Sequence, residues 1–303
     1  MNPHRLRAYS QLLVVSVIWG IAAVVIKYTL TGFPPFIFLT YRFFISTIAA
    51  LILFVFTGIK LPKDKKSLML IFVYGFLVST VSLGLLFLGT DKTTSIDANL
   101  ISAMAPITIV IAGAIFLKEH ITKKEKIGIT IALVGTLITI IEPILRASDG
   151  IGGLEGNLLV FASILVGTVT AVLAKVILRK NVDPITLTNV SFIVGFITTL
   201  PIVLVVSTPH ELINSILQTP LPFHLGVIYM ALLSGTLAYI LWHKAEKTIE
   251  VSEVSLFAYL YPVFGTPLSI LWLKEKITLP FMIGAIIIAI GILIAEIKKK
   301  RYN

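Results

Sequence analysis

The sequence predicts an all-α integral membrane protein whose ten transmembrane helices form two inverted five-helix repeats. Three observations lead there. Hydrophobic residues make up 57% of the 303 and charged ones 13%, with a mean hydropathy of +0.99, well outside the usage of soluble domains. Ten apolar runs have the roughly 20-residue length that crosses a bilayer. Finally, the text of 106–142 returns, without gaps, at 262–298. Pro106 matches Pro262, Lys118-Glu119 matches Lys274-Glu275, Gly128 matches Gly284 and Gly135 matches Gly291, with thirteen of 37 positions identical. Charged residues and prolines falling on one offset mark a duplication. Five helices is an odd number, so the second copy enters the membrane in the opposite sense.

In order, the spans read as 10–30, 35–57, 67–89, 95–117, 125–142, 156–178, 184–206, 223–243, 251–273 and 278–297. The first follows a basic start, His4-Arg5-Leu6-Arg7, like the opening of a signal peptide. Its apolar run is too long for one, carries Lys27 and lacks a small-residue cleavage pattern, so it reads as a retained helix. Gly32-Phe33-Pro34-Pro35 breaks the chain before the second span, with Pro35 suited to its first turn. Thr122 and Glu125 have capping-box spacing before the fifth span, and Thr278 with Pro280 opens the tenth. The stretch 143–155 reads as the loop dividing the halves. The stretch 207–222, with Pro209, Pro220 and Pro222, reads as the other long loop. Gly128, Gly135, Gly284, Ala285 and Gly291 read as positions where helices approach closely.

Lys and Arg set the orientation. With a cytoplasmic N-terminus, eighteen fall in inside segments and four outside (Lys92, Arg146, Lys274 and Lys276). Both termini are therefore expected in the cytoplasm. The outward-facing Lys274-Glu275 turn breaches the rule, as an inverted repeat requires. The same loops account for the formal charge of +10, so nucleic acid is not an expected partner. The chain has no cysteine, which excludes disulfides, thiolate catalysis and cysteine-ligated metal.

Inverted repeats with a site near the midplane where the halves meet are a recurring transporter architecture, and several residues could carry transport. Pro106 and Pro262 sit about nine residues into their spans, where proline removes a donor to the carbonyls of Ser102 and Ala258. They read as hinges or cavity walls, with Pro267 as a second weak point; the plainer reading is a static kink. Arg42 lies about 10 Å inside the second span. No Asp or Glu falls in the middle of any span, so its partners are backbone carbonyls, Asp97 or a substrate carboxylate. Lys27 and Lys175 lie nearer span ends and are expected to snorkel. Glu119 and Glu275 end their helices beside a lysine. They read as structural braces that bond the next helix's free amides or a neighbouring lysine, with gating as the alternative. Trp19, Tyr41, Ser79, Asn99, Ser102, Thr170, Tyr239, Trp242, Tyr259 and Tyr261, with Tyr74 and Ser82, are the aromatic and polar side chains that could line a cavity with Arg42; singly, each aromatic also suits packing or an interfacial belt. His224 and His243 lie near span ends. With no carboxylate at depth, exchange or uniport is expected rather than tight proton coupling. No cofactor or metal set is read from the sequence.

Trp19-Gly20 followed by Lys27, Tyr41-Arg42-Phe43, and the two Pro–(Leu-Lys-Glu)–Gly–Gly units together resemble an EamA-type member of the drug/metabolite transporter superfamily. The resemblance covers nearly the whole chain. It implies EamA-like repeats over 9–142 and 156–297, with 298–303 a basic cytoplasmic tail. It also implies a secondary transporter in a bacterial or archaeal cytoplasmic membrane, moving a small organic metabolite, often an amino acid or related compound, by export. Two departures stand out: Thr168 occupies the place of a Trp-Gly echo, and the seventh span has no arginine matching Arg42. A nucleotide-sugar carrier would want more basic residues, and a drug carrier a mid-span acid. Outside transport, a channel or scaffold is the alternative; an enzyme is disfavoured by the lack of HExxH, GxSxG or paired aspartates.

Overall fold

The computed structural model describes residues 3–58, 61–116, 123–145, 150–249 and 251–296, and among these all regular structure is helical. Among the described residues seven helices are long and apolar enough to cross a membrane, and three apolar helices are shorter. The elements are α1 (Pro3–Leu30), α2 (Pro35–Thr57), α3 (Lys65–Lys92), α4 (Ser95–Phe116) and α5 (Lys123–Leu145). There follow α6 (Gly150–Arg179), α7 (Pro184–Val206), α8 (Pro209–Gln218) and α9 (Leu221–Thr248). Next comes α10, a composite of Val251–Ser255, a 3-10 stretch Leu256–Leu260 and Tyr261–Leu273; α11 (Leu279–Glu296) ends the described chain.

The local chemistry explains the boundaries. Pro35 and Pro184 occupy first turns, where a missing N–H costs nothing, and Asp183 caps α7 by accepting from the amides of Ile185 and Thr186. Thr278 Oγ1 accepts from Phe281 N to open α11. Two expected loops are shorter than the sequence reading has them. Helix runs to Leu145 and resumes at Gly150, inside the expected 143–155 connection. Within 207–222 lies α8, opened by a full capping box in which Thr208 and Glu211 satisfy each other's backbone amides. It is amphipathic, with Leu212 and Ile216 packed on the core while Ile213 and Leu217 are exposed. The Thr122–Glu125 pattern and Glu119 fall outside the described residues or side chains.

Discontinuities are the other departure. α3 carries a π-helical stretch, Phe76–Ser82, and α9 another, Tyr229–Leu237; such bulges frequently sit at functional sites. α4 breaks at a turn over 103–104, and α10 at its 3-10 stretch. Pro106 and Pro262 therefore stand in the first turn of the helix that restarts, not nine residues into a continuous one. Here Ile107 N bonds Met104 O at 2.9 Å: the kink is already made upstream, and proline fits where a donor is unneeded. Pro267 is inside its helix.

Packing is reciprocal. α1 lies against α9 and α10, while α6 lies against α3 and α4; α2 pairs with α7, α4 with α10 and α5 with α11. The α5–α11 pair is antiparallel and depends on missing side chains. A Cβ on Gly135 would lie 2.8 Å from the Gly284 carbonyl oxygen, and one on Gly291 2.5 Å from Ala132 N. Lipid is as apolar as leucine, so such backbone approach, not hydrophobic burial, drives the pairing. Outward-facing Val55, Phe56 and Val205 are more than 80% exposed, a surface that suits acyl chains and not water. The inner core is aromatic: Phe33, Phe38, Phe43, Phe87 and Phe192 join α1, α2, α3, α7 and α9.

Candidate functional site

A cavity of about 230 Å³ opens where α1, α2, α3, α4, α6, α9 and α10 converge. Its centre is an aromatic group. Trp19 meets Tyr239 and Trp242, both with centroids 5.0 Å away, and Tyr261 edge-on at 6.1 Å. Trp19 Nε1 donates to Ser234 O at 2.9 Å. That carbonyl belongs to the π stretch of α9, whose altered ladder presents backbone acceptors to side chains: Ser46 and Thr236 both donate to Ala231 O.

Arg42 lines the same cavity and is 1% exposed. Its guanidinium lies 5.5 Å from the Phe43 ring and 5.7 Å from the Phe87 ring. Among the described residues its Nε and Nη1 have no hydrogen-bond partner. Neither backbone carbonyls nor Asp97 therefore satisfies those two donors. Asp97 sits in the first turn of α4, whose cap is Thr94.

Of the expected lining residues, Trp19, Arg42, Asn99, Ser102, Thr170, Tyr239, Trp242 and Tyr261 do border the cavity, as do Tyr74 and Ser82. Three others do not. Tyr41 points to the far end of α9, its hydroxyl 3.2 Å from His224 Nδ1. Ser79 is spent on a helix contact, donating to Ser191 O at 2.8 Å. Tyr259, on the 3-10 stretch, is absent from the wall, as are Pro106, Pro262 and Pro267. Asn99 presses on α10, since a Cβ on Gly265 would lie 2.1 Å from its Nδ2.

The charged residues differ most from expectation. Lys175 is buried rather than reaching water, whereas Lys27 is only partly buried near the end of its span. Lys27 Nζ donates to Thr90 O at 3.1 Å and Asp91 O at 2.8 Å, and Lys175 Nζ to Glu246 O at 2.5 Å and Ile249 O at 2.6 Å. Each ammonium closes the C-terminus of another helix, α3 or α9, where carbonyls lack partners and the dipole is negative. Glu275 accepts from the amides of Ser95 at 2.8 Å and Ile96 at 3.0 Å, capping α4 and not the helix that follows it.

Glu246 is buried without lying in the middle of a span: it stands two residues before the end of α9. α9 runs to Thr248, past the expected end at 243, and Glu246 is 1% exposed in the cavity wall. The lack of a mid-span acid is thus no objection to proton coupling or to cationic cargo. His243 is likewise interior, its ring nitrogens 2.8 Å from the hydroxyls of Tyr74 and Thr188. Thr168, Ser163, Ser234 and Ser255 complete the polar wall. Unlike Ser82, Ser102 and Thr170, these four are not among the expected lining residues.

A multi-pass helical membrane protein enclosing a small, mostly apolar cavity with a few polar groups is the architecture of a small-molecule carrier. The chain belongs to the EamA-like transporter family, whose sequence profile matches residues 6–141 and 154–296. It is similar to "Uncharacterized transporter YyaM" of Bacillus subtilis (27% identity, 98% of this chain, 97% of that one) and to an uncharacterized transporter of Archaeoglobus fulgidus (29%, 93% and 95%). It is also 26% identical to a "Probable amino-acid metabolite efflux pump" of Escherichia coli, over 93% of this chain and 92% of that one. A solved crystal structure shares the fold at 16% identity, with a TM-score of 0.69 and 99% of each chain covered. The chain is a transporter and not an enzyme.

Proposed function

We propose that this transporter exports a small organic metabolite bearing a carboxylate, an amino acid or related compound, by alternating access. The observation that carries the reading is Arg42: a buried guanidinium in a cavity wall with two nitrogens unbonded. A buried unpaired charge is costly, and a carboxylate is its bidentate complement. Trp19, Tyr239, Trp242 and Tyr261 hold the apolar part, with Asn99, Ser102 and Thr170 on the wall. A volume of about 230 Å³ lies below the roughly 300–1,000 Å³ of sites for drug-sized ligands, which favours an amino acid over a nucleotide sugar.

Ten spans, α1–α7 and α9–α11, form two inverted repeats over 9–142 and 156–297, with the basic tail 298–303 and both termini cytoplasmic. Reciprocal features support this. Lys27 and Lys175 close the third and eighth spans, the same two spans carry the π stretches, and the fifth and tenth pair antiparallel. The breaks at 103–104 and 256–260, braced by Pro106 and Pro262, are the bending points.

The test is counterflow of radiolabelled amino acids in proteoliposomes. A carrier accelerates tracer entry when unlabelled substrate is inside, and a channel does not. Arg42→Gln should lower counterflow at least about tenfold. If no amino acid or related carboxylate exchanges, or if Arg42→Gln exchanges normally, the substrate assignment is wrong.

A further inference from the structure

Glu246 stands at the end of the cavity away from Arg42. A Cβ on Gly235 would lie 3.5 Å from Arg42 Nη2, and Glu246 is eleven residues further along α9, about 16 Å at 1.5 Å per residue. Arg42 and Glu246 thus sit about three turns of α9 apart on the cavity wall, and Glu246 is treated as a site of its own. Both carboxylate oxygens lack a hydrogen-bond partner among the described residues. An ionised carboxylate so placed, without donors, is costly. The ammonium of Lys175 is nearby but bonds the main-chain carbonyls of Glu246 and Ile249.

Other groups around it are committed. His243 on the same helix is held at both nitrogens by Tyr74 of α3 and Thr188 of α7. Lys247 reaches away to Val182 O. Among the described residues, the walls from α10 and α1 offer Ser255, Tyr261 and Trp19, none of them charged. Glu246 is also where the two halves differ. At the 156-residue offset of the duplication its counterpart is Thr90, whose carbonyl also receives a lysine but whose hydroxyl is satisfied by Leu86 O at 2.7 Å.

We infer that Glu246 is a proton-carrying site coupling transport to the proton gradient. With the cavity open outward, the carboxylate takes up one proton and becomes a neutral acid, which tolerates closure. Opening to the cytoplasm hydrates it and the proton leaves, one proton inward for each metabolite outward. This rests on the transport reading above and replaces the expectation of uncoupled exchange.

Two measurements on the full chain test it. In proteoliposomes a pH gradient should drive accumulation of the amino acid found by counterflow. Glu246→Gln should cut that accumulation at least about tenfold while its residual counterflow becomes flat with pH; Glu246→Asp should restore both responses. Accumulation driven by a sodium gradient instead, or by pH in Glu246→Gln, overturns the inference. Should no amino acid exchange, the substrate reading fails by itself, and a substrate-free arm decides: indicator-dye titration of purified protein. Wild type and Glu246→Asp should bind one more proton per chain than Glu246→Gln across the physiological range. Equal proton uptake by all three overturns the proposal.

Discussion

Trp19 and Arg42 reach the same π-helical stretch of α9 from two different helices, so the cavity's recognition chemistry is built on an irregular backbone. Trp19→Phe keeps the ring but removes the N–H to Ser234 O. A hydrogen bond of about 1 kcal/mol predicts a several-fold rise in half-saturation for counterflow, which an unchanged value would contradict. Lys175, 7% exposed, predicts a stability effect. Lys175→Met leaves the α9 carbonyls without their cation, at a cost of about 2 kcal/mol for charge-assisted bonds. The measurement is the unfolding midpoint in detergent, expected to fall. At this scale the aromatic and amide lining of the cavity is legible because such side chains are conspicuous in apolar spans. Glu246 is not: it sits in the polar run Lys244–Thr248, which hydropathy reads as loop. What buries it is the packing of α1, α6 and α7 around the end of α9, all remote in sequence.

At the scale of single helices, caps and close approaches account for most boundaries. Gly135→Val would force a methyl-bearing carbon into the 2.8 Å gap to the Gly284 carbonyl. The α5–α11 pair should loosen, read as faster exchange or crosslink loss between those helices, whereas Gly58→Ala, with open space around it but positive φ, should act only locally. The capping box of α8 predicts a pH dependence. Hydrogen bonds from Thr208 hold the Glu211 carboxyl below its ordinary value. Its contribution to α8 is therefore complete above the unfolded carboxylate range, near about 4.3, and disappears as pH falls through the depressed value. Amide protection in α8 should be steady above about pH 5 and fade below; protection that rises on acidification would contradict it. The Thr208–Glu211 spacing is visible in the sequence, but three prolines around it make the segment read as loop. Pro106 and Pro262 show the opposite error: an interior proline reads as the cause of a kink, whereas the helix has restarted just before it.

For the molecule as a whole, orientation is the prediction that follows from charge. The chain has no cysteine, so single cysteines report cleanly. A membrane-impermeant maleimide applied to intact cells should label Gln218→Cys, on exposed α8, and spare Lys63→Cys until the membrane is opened; the reverse pattern would invert the topology.

Composition and periodic text determined the membrane class and the repetition of 106–142 at 262–298, because bilayer crossing and repetition are linear properties that a chain displays without folding. The partners of the buried charges were decided only by tertiary structure. Lys27 and Lys175 find helix ends, Glu275 finds the amides of α4, and Arg42 and Glu246 are left facing a cavity. A charge buried in a membrane protein must meet whatever polar group the packing brings within hydrogen-bond reach, and those groups here lie 63 to 180 residues away in sequence.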